Sequence, residues 1–190
     1  MIRFNKCVIL ERIMGNVIWV DNNDNVLGEM TRERAHKEGL LHRVAVIYVV
    51  NDKKEILVNE RAKDGHLDHS SAGHVDVGES YSEAAKRELE EELGISRVEL
   101  QEIGSSQAQD KGGTFDSRHM FKIFIGKSAP NKLKEDEVKS VFWENPDEVY
   151  RDMAIQPEKY TGGFKSTLKI FLEYYVNAKR DIFMKQNLTR

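Results

Sequence analysis

The stretch RVAVIYVV, Arg43 to Val50, is apolar on both of the faces a strand would present. A half-solvated strand alternates apolar and polar residues, so an unbroken apolar run is expected to be a buried central strand. Upstream, NVIWVD (Asn16 to Asp21) reads as a strand, NNDN as a turn and VLGEM as the return. Thr31 is a good N-cap for a short helix, RERAHKE, which Gly39 can end. Downstream, NDKK turns the chain into EILVNER, AKDGHLDHSSA reads as a polar loop, and VELQEIGSSQ, HMFKIFIGK and SVFWEN read as further strands. A long amphipathic helix is expected over about 164–186. Strands and helices alternate without a strict βαβ rhythm, which predicts an α/β fold, a mixed sheet flanked by helices. The 190 residues show no shift of composition, so one domain spanning 1–190 is expected.

The segment GHVDVGESYSEAAKRELEEELGI, Gly73 to Ile95, poses an electrostatic problem. No Pro or Gly interrupts Tyr81 to Leu93, Ser80 or Tyr81 begins a run of good helix formers, and Gly94 stops it. Tyr81, Ala85, Leu89 and Leu93 recur every four residues as the expected buried stripe. Ala84, Glu88, Glu91 and Glu92 share a second face, so three carboxylates converge beside a glycine-marked loop. An acidic helix face is usually just solvated. Carboxylates gathered this way also suit Mg²⁺ or Mn²⁺, which prefer oxygen ligands and keep waters for substrate phosphates.

Gly73, five residues, Glu79, seven residues, then Arg87-Glu88-Leu89, Glu91-Glu92 and Gly94-Ile95 fill every fixed position of a known signature. The segment 73–95 thereby resembles the box of the Nudix hydrolase family. The resemblance implies an α/β/α sandwich on which the box glutamates bind a divalent metal that bridges a diphosphate. By position, the resemblance implies Glu88, Glu91 and Glu92 as metal ligands and Arg87 as a brace that pairs with Glu79, with Glu79 a further expected member of the metal shell. Glu90, the variable position, is expected to be simply exposed. Gly73 is expected where the backbone turns tightly from strand to loop, and Gly94 at the helix end. Nudix hydrolases often draw a general base or further ligand from outside the box. KEDEVKSVFWEN offers Glu137 first and Glu135 second.

A second resemblance runs from about Val17 to Ile95. GEMTRERAHKEGLLHRVAVIYVVN, ILVNERA and AGHVDVGES are similar to type 1 isopentenyl-diphosphate isomerase and its nearest Nudix hydrolases. It implies a second divalent-metal site at His36, His42, His74, Glu135 and Glu137, and a basic residue near the diphosphate, for which Arg61 is the candidate. The isomerase chemistry does not carry over. Ala72 stands where those enzymes use a proton-transferring cysteine, Gly162-Gly163 where they commonly have Pro-Trp, and the loop before His74 lacks their tryptophans. The favoured reading is a Mg²⁺- or Mn²⁺-dependent hydrolase of a diphosphate linkage in a small molecule, a nucleoside diphosphate derivative first. The alternatives are the isomerase itself and a non-catalytic Nudix-fold sensor, which would not need every metal carboxylate. His66, His69 and His119 match no motif, and the segments Ala62 to Ala72 and Gln107 to His119 read as loops that choose the substrate.

The formal charge of −3 gives no broad basic footprint, so the expected partner is a phosphorylated small molecule rather than nucleic acid or an acidic membrane. No apolar run approaches the ~18 residues of a membrane span, and no secretion signal is recognisable. Cys7 is the single cysteine, flanked by apolar residues, and the expected compartment is the reducing cytoplasm. A homodimer is in keeping with the family, and the N-terminal MIRFNKCVILERIMG reads equally as a strand pair or an interface element.

Overall fold

In the computed structural model, which describes residues 15–112 and 115–188, the doubly apolar run is the central strand of a mixed sheet. In chain order the elements are β1 (Asn16–Val20), β2 (Val26–Thr31), α1 (Arg32–Glu38), β3 (Leu41–Val50), β4 (Ile56–Arg61), β5 (Leu67–Asp68) and β6 (Ser71–His74). There follow α2 (Tyr81–Leu93), β7 (Gln101–Gly112), β8 (Phe115–Lys127), β9 (Val138–Glu144), α3 (Pro146–Ile155) and α4 (Gly162–Leu188). Cys7 and most of the N-terminal segment lie outside the described residues.

β3 explains its own composition. One edge pairs in parallel with β8 along its whole length, from Leu41↔Arg118 to Val50↔Lys127. The other edge is shared, antiparallel, by β1 at His42, β6 from Val44 to Ile47 and β4 at Val50. Ala45, Ile47 and Val49 face one core with Ala84, Ala85, Leu89 and Leu93 of α2. Val44, Val46 and Tyr48 face the other with Val149 and Met153 of α3 and Phe164, Leu168 and Phe171 of α4. The expected α/β/α sandwich is therefore present, with the acidic helix as one outer layer. Ala35 of α1 packs in a small third cluster with Val17 and Met30. No described helix is long and apolar enough to cross a membrane.

Three parts differ from the expectation. The presumed loop Gln107 to His119 belongs mostly to a long hairpin of β7 and β8, paired as far as Gly112↔Phe115. β7 pairs only with β8, and its half-buried positions from 104 onward carry Gly104, Ser106 and Ala108, so the apolar alternation that marks a half-buried strand is absent from the sequence. The polar loop before the box contains β5 and β6, anchored from beneath by a buried histidine. His69 Nδ1 bonds Asp68 Oδ1 at 2.8 Å, and its Nε2 bonds Thr167 Oγ1 of α4 at 2.6 Å. Finally, α3 was missed although its signals are local: Asn145 caps it, accepting from Asp147 N at 2.9 Å, and Pro146 occupies the first turn.

Candidate active site

Two successive residues of β6 face opposite layers. Gly73 pairs with Ala45, whose side chain lies in the core under α2. A Cβ on Gly73 would lie 1.9 Å from Glu88 Cδ, so glycine is needed for the approach of that carboxylate. This corrects the expectation of a tight turn: Gly73 sits in a paired strand, and the left-handed backbone falls at Gly78, φ 91°. Gly94 does close the helix, at φ 66°, and a Cβ there would meet Lys132 N at 2.9 Å. At the other end Ser80 and Glu83 form a reciprocal cap, Ser80 Oγ accepting from Glu83 N and Glu83 Oε2 from Ser80 N.

Arg87 is the hub. Its Nε and Nη2 donate to Glu79 Oε1 and Oε2 at 2.7 and 3.0 Å, the expected brace in bidentate form. Nη1 donates to Glu88 Oε1 at 2.6 Å and lies 3.7 Å from Glu91 Oε2, while Nη2 also reaches the His74 carbonyl at 2.9 Å. One guanidinium thus ties the end of β6, the loop and the helix together. The positive charge missing from the sequence pattern is partly supplied here.

It does not suffice for all the carboxylates. Glu91 is half-exposed and Glu90 exposed, as expected, but Glu92 is only 8% exposed and its Oε2 has no hydrogen-bond partner. Burial pushes Glu92 up to about 8 against the opposing pull of the Ser71 hydroxyl, with the charges of Glu88, Glu137 and Asp68 adding to the rise. Burial also raises Glu88, against the pull of Arg87. The charge of Glu137, in the turn before β9, raises both groups. Its own carboxylate is held by Lys134 Nζ at 2.7 Å. Glu135 instead lines a cleft of about 540 Å³ with Ala62, Lys132 and Lys139. Arg61, expected at the substrate, is turned to Asp64 at 3.1 Å and Asp68 at 3.5 Å, so a phosphate would have to compete with two carboxylates for it.

The orphaned Glu92 oxygen, the crowding of Glu88 against Gly73 and the all-oxygen donor set fit a hard divalent cation such as Mg²⁺ or Mn²⁺. Gly73→Ala tests that cradle. The added methyl group should displace the Glu88 carboxylate rather than the backbone, lowering Mg²⁺ affinity about tenfold or more. The expected stability loss is about 1 kcal/mol; calorimetric titration and thermal unfolding would report the two effects separately.

The histidines give a mixed result. His36, His42 and His74 are brought together as expected, with Nε2 atoms 3.2, 3.3 and 3.1 Å apart. The fourth member of the cluster is His119, and not Glu135 or Glu137. Parallel pairing of β3 with β8 sets His119 directly beside His42, a long-range register that sequence spacing cannot reveal. Burial keeps the rings neutral, holding His42 near 4 and His119 near 3.

A mixed sheet between helices, one of them with a carboxylate turned inward, is an arrangement able to hold a divalent cation beside a phosphorylated molecule. The NUDIX domain profile matches residues 40–162, and the chain belongs to the Nudix family, as an enzyme of the Nudix hydrolase class. The Nudix hydrolase YfcD of Escherichia coli strain K12 is 36% identical over 148 residues, 73% of this chain and 80% of that one. The isopentenyl-diphosphate Delta-isomerase of Serratia proteamaculans strain 568 is 33% identical over 163 residues, 80% of this chain and 89% of that one. Among solved structures, DR0079 from Deinococcus radiodurans superposes with a TM-score of 0.60 at 21% identity, covering 74% of this chain and 88% of that one. At that identity the likeness shows the fold alone.

Proposed function

We propose that this protein hydrolyses a diphosphate linkage in a small phosphorylated molecule, a nucleoside diphosphate derivative being the first class to examine, with Mg²⁺ or Mn²⁺ as cofactor. The observation that carries the reading is the buried, unpartnered Glu92 oxygen beside Glu88. A structural helix has no need of such a group, since a buried carboxylate oxygen without a partner is unfavourable. In this reading Glu88, Glu91 and Glu92 hold the cation, with Glu79 at the margin of the shell. When bound, the cation neutralises charge on the diphosphate oxygens. Arg87 fixes Glu79 and Glu88 in place. Glu137 is the first candidate for the base that takes the proton as water attacks phosphorus and the bridging P–O bond breaks. Arg61 is assigned to substrate only if phosphate displaces its aspartates.

The isomerase reading draws on the similarity to the Serratia enzyme and on the histidine cluster. Against it stands Ala72, whose methyl group cannot transfer a proton. The test is a panel of nucleoside diphosphates, nucleoside triphosphates, nucleotide sugars and isopentenyl diphosphate, with Mg²⁺ or Mn²⁺, products being identified by mass. Phosphate or nucleotide release that a chelator stops, and that Glu91→Gln reduces, is the expected result. Formation of the allylic isomer without phosphate release would establish the isomerase instead.

A further inference from the structure

Among the described residues, three buried side-chain atoms have no hydrogen-bond partner: Asn59 Oδ1, Ser71 Oγ and Glu92 Oε2. Asn59 lies on β4, opposite Asp68. The other two lie on facing elements under the box. β6 and α2 run in opposite senses, because Arg87 reaches the His74 carbonyl while Glu88 comes to rest against Gly73. Ser71 is two residues before Gly73 and so points to the same side of the sheet. It pairs with Ile47, whose side chain lies in the core beneath α2. Glu92 is one turn of helix beyond Glu88, and the two steps match, about 6.6 Å along the strand and about 6 Å along the helix. Glu92 therefore comes down over Ser71 as Glu88 does over Gly73, and the Ser71 hydroxyl acts on the Glu92 carboxyl.

That hydroxyl does nothing for the sheet. Ser70, equally buried, shows the difference: its Oγ accepts from Val49 N at 2.8 Å and donates to the Leu57 carbonyl at 2.6 Å, stitching β3 to β4. Ser71 makes no such bond. At a fully buried strand position, alanine would fill the place without leaving a hydroxyl unpaired. What the hydroxyl can offer is its hydrogen. An ionised carboxylate only accepts, so toward Glu92 the serine is the donor. Carboxylates that ligate a metal are themselves held by hydrogen bonds from outside the shell, which fix how they are turned.

We propose that Ser71 is a positioning residue for the carboxylate site: its hydroxyl donates to one oxygen of Glu92 and turns the other toward the cation. This deepens the hydrolase reading and rests on its assignment of Glu92 as a ligand. The two orphaned atoms, Ser71 Oγ and Glu92 Oε2, then have one explanation.

The test is calorimetric titration of Mg²⁺ into the chelator-stripped full chain, in the wild type, Ser71→Ala, Glu92→Gln and the double variant. Ser71→Ala should weaken Mg²⁺ binding about tenfold. In the Glu92→Gln background the same change should have no further effect, because the hydroxyl acts through that carboxylate. Thermal unfolding in chelator should leave Ser71→Ala at least as stable as the wild type, which a serine needed for the fold would not allow. Ser71→Cys keeps nearly the same volume with a weak donor and should weaken binding likewise, so it decides the matter if Ser71→Ala does not fold. Undiminished affinity in a folded Ser71 variant, beside a weakened Glu92→Gln protein, overturns the proposal, as do losses that simply add in the double variant. Undiminished affinity in Glu92→Gln as well removes Glu92 from the cation, and the reading beneath the proposal falls with it.

Discussion

Glu92→Gln is expected to lower turnover on the order of 10³-fold, within the range for loss of a group acting in proton transfer or charge stabilisation, yet to make the protein more stable at pH 8 without divalent ions. The second effect follows from the direction in which burial moves this carboxyl. Its folded-state value is raised from 4.5 to about 8, so the native protein holds a proton that the unfolded chain has released. A group raised in this way contributes stability that is complete below pH 4.5 and lost as the pH climbs toward 8. At about 1.36 kcal/mol per pH unit the loss is on the order of 4 kcal/mol. Burial moves Glu88 in the same direction and adds to the slope. Glutamine is neutral throughout and leaves its own position out of the penalty. Thermal unfolding in chelator at pH 5 and pH 8 should show the wild type losing much more stability than the variant. Mg²⁺ at pH 8 should restore the wild type alone, because a ligand that binds only the ionised native site stabilises only the protein that has it. Parallel pH curves for the two proteins would dispose of the argument.

Which features could be read in advance follows from where the information lies. The sandwich was legible because Arg43 to Val50 carries apolar residues on successive positions, and only layers on both faces account for that. The box helix was legible from local terms: Ser80 at its start, an unbroken run of good helix formers, Gly94 at its end. The reason for Gly73 was not, since it depends on where a side chain fifteen positions later comes to rest. Helical spacing grouped Glu92 with Glu88 and Glu91 in one carboxylate patch but did not give its depth: Ala84 and Glu92 are buried with the stripe of Ala85, Leu89 and Leu93. His119 matched no local pattern. It reaches the cluster through the parallel pairing of β3 and β8, strands separated by more than sixty residues of chain. Glu135 and Glu137, drawn into the histidine site by resemblance, belong to the turn before β9 and lie outside the histidine cluster; the charge of Glu137 raises Glu92, and Glu135 lines a cleft with Ala62 and Lys139.

Arg87→Ala is expected to cost about 3 kcal/mol of stability and to abolish tight Mg²⁺ binding, because the guanidinium is the single link among four acceptors. Removing it leaves Glu79 and Glu88, mostly shielded from solvent, with no counter-charge, and leaves the His74 carbonyl without this donor. The informative comparison is Arg87→Lys, which keeps the charge but not the planar fork. A lysine can approach Glu79 or Glu88, but it cannot at once reproduce the pair of bonds to Glu79 at 2.7 and 3.0 Å and the bond to Glu88 at 2.6 Å. If charge alone mattered, Arg87→Lys would match the wild type both in its urea midpoint and in its Mg²⁺ dependence. The geometry argues otherwise: lysine should recover most of the stability while Mg²⁺ affinity stays about tenfold or more below the wild type. That separation would identify Arg87 as the residue that sets where Glu88 points, and only secondarily as a neutraliser of the acidic helix.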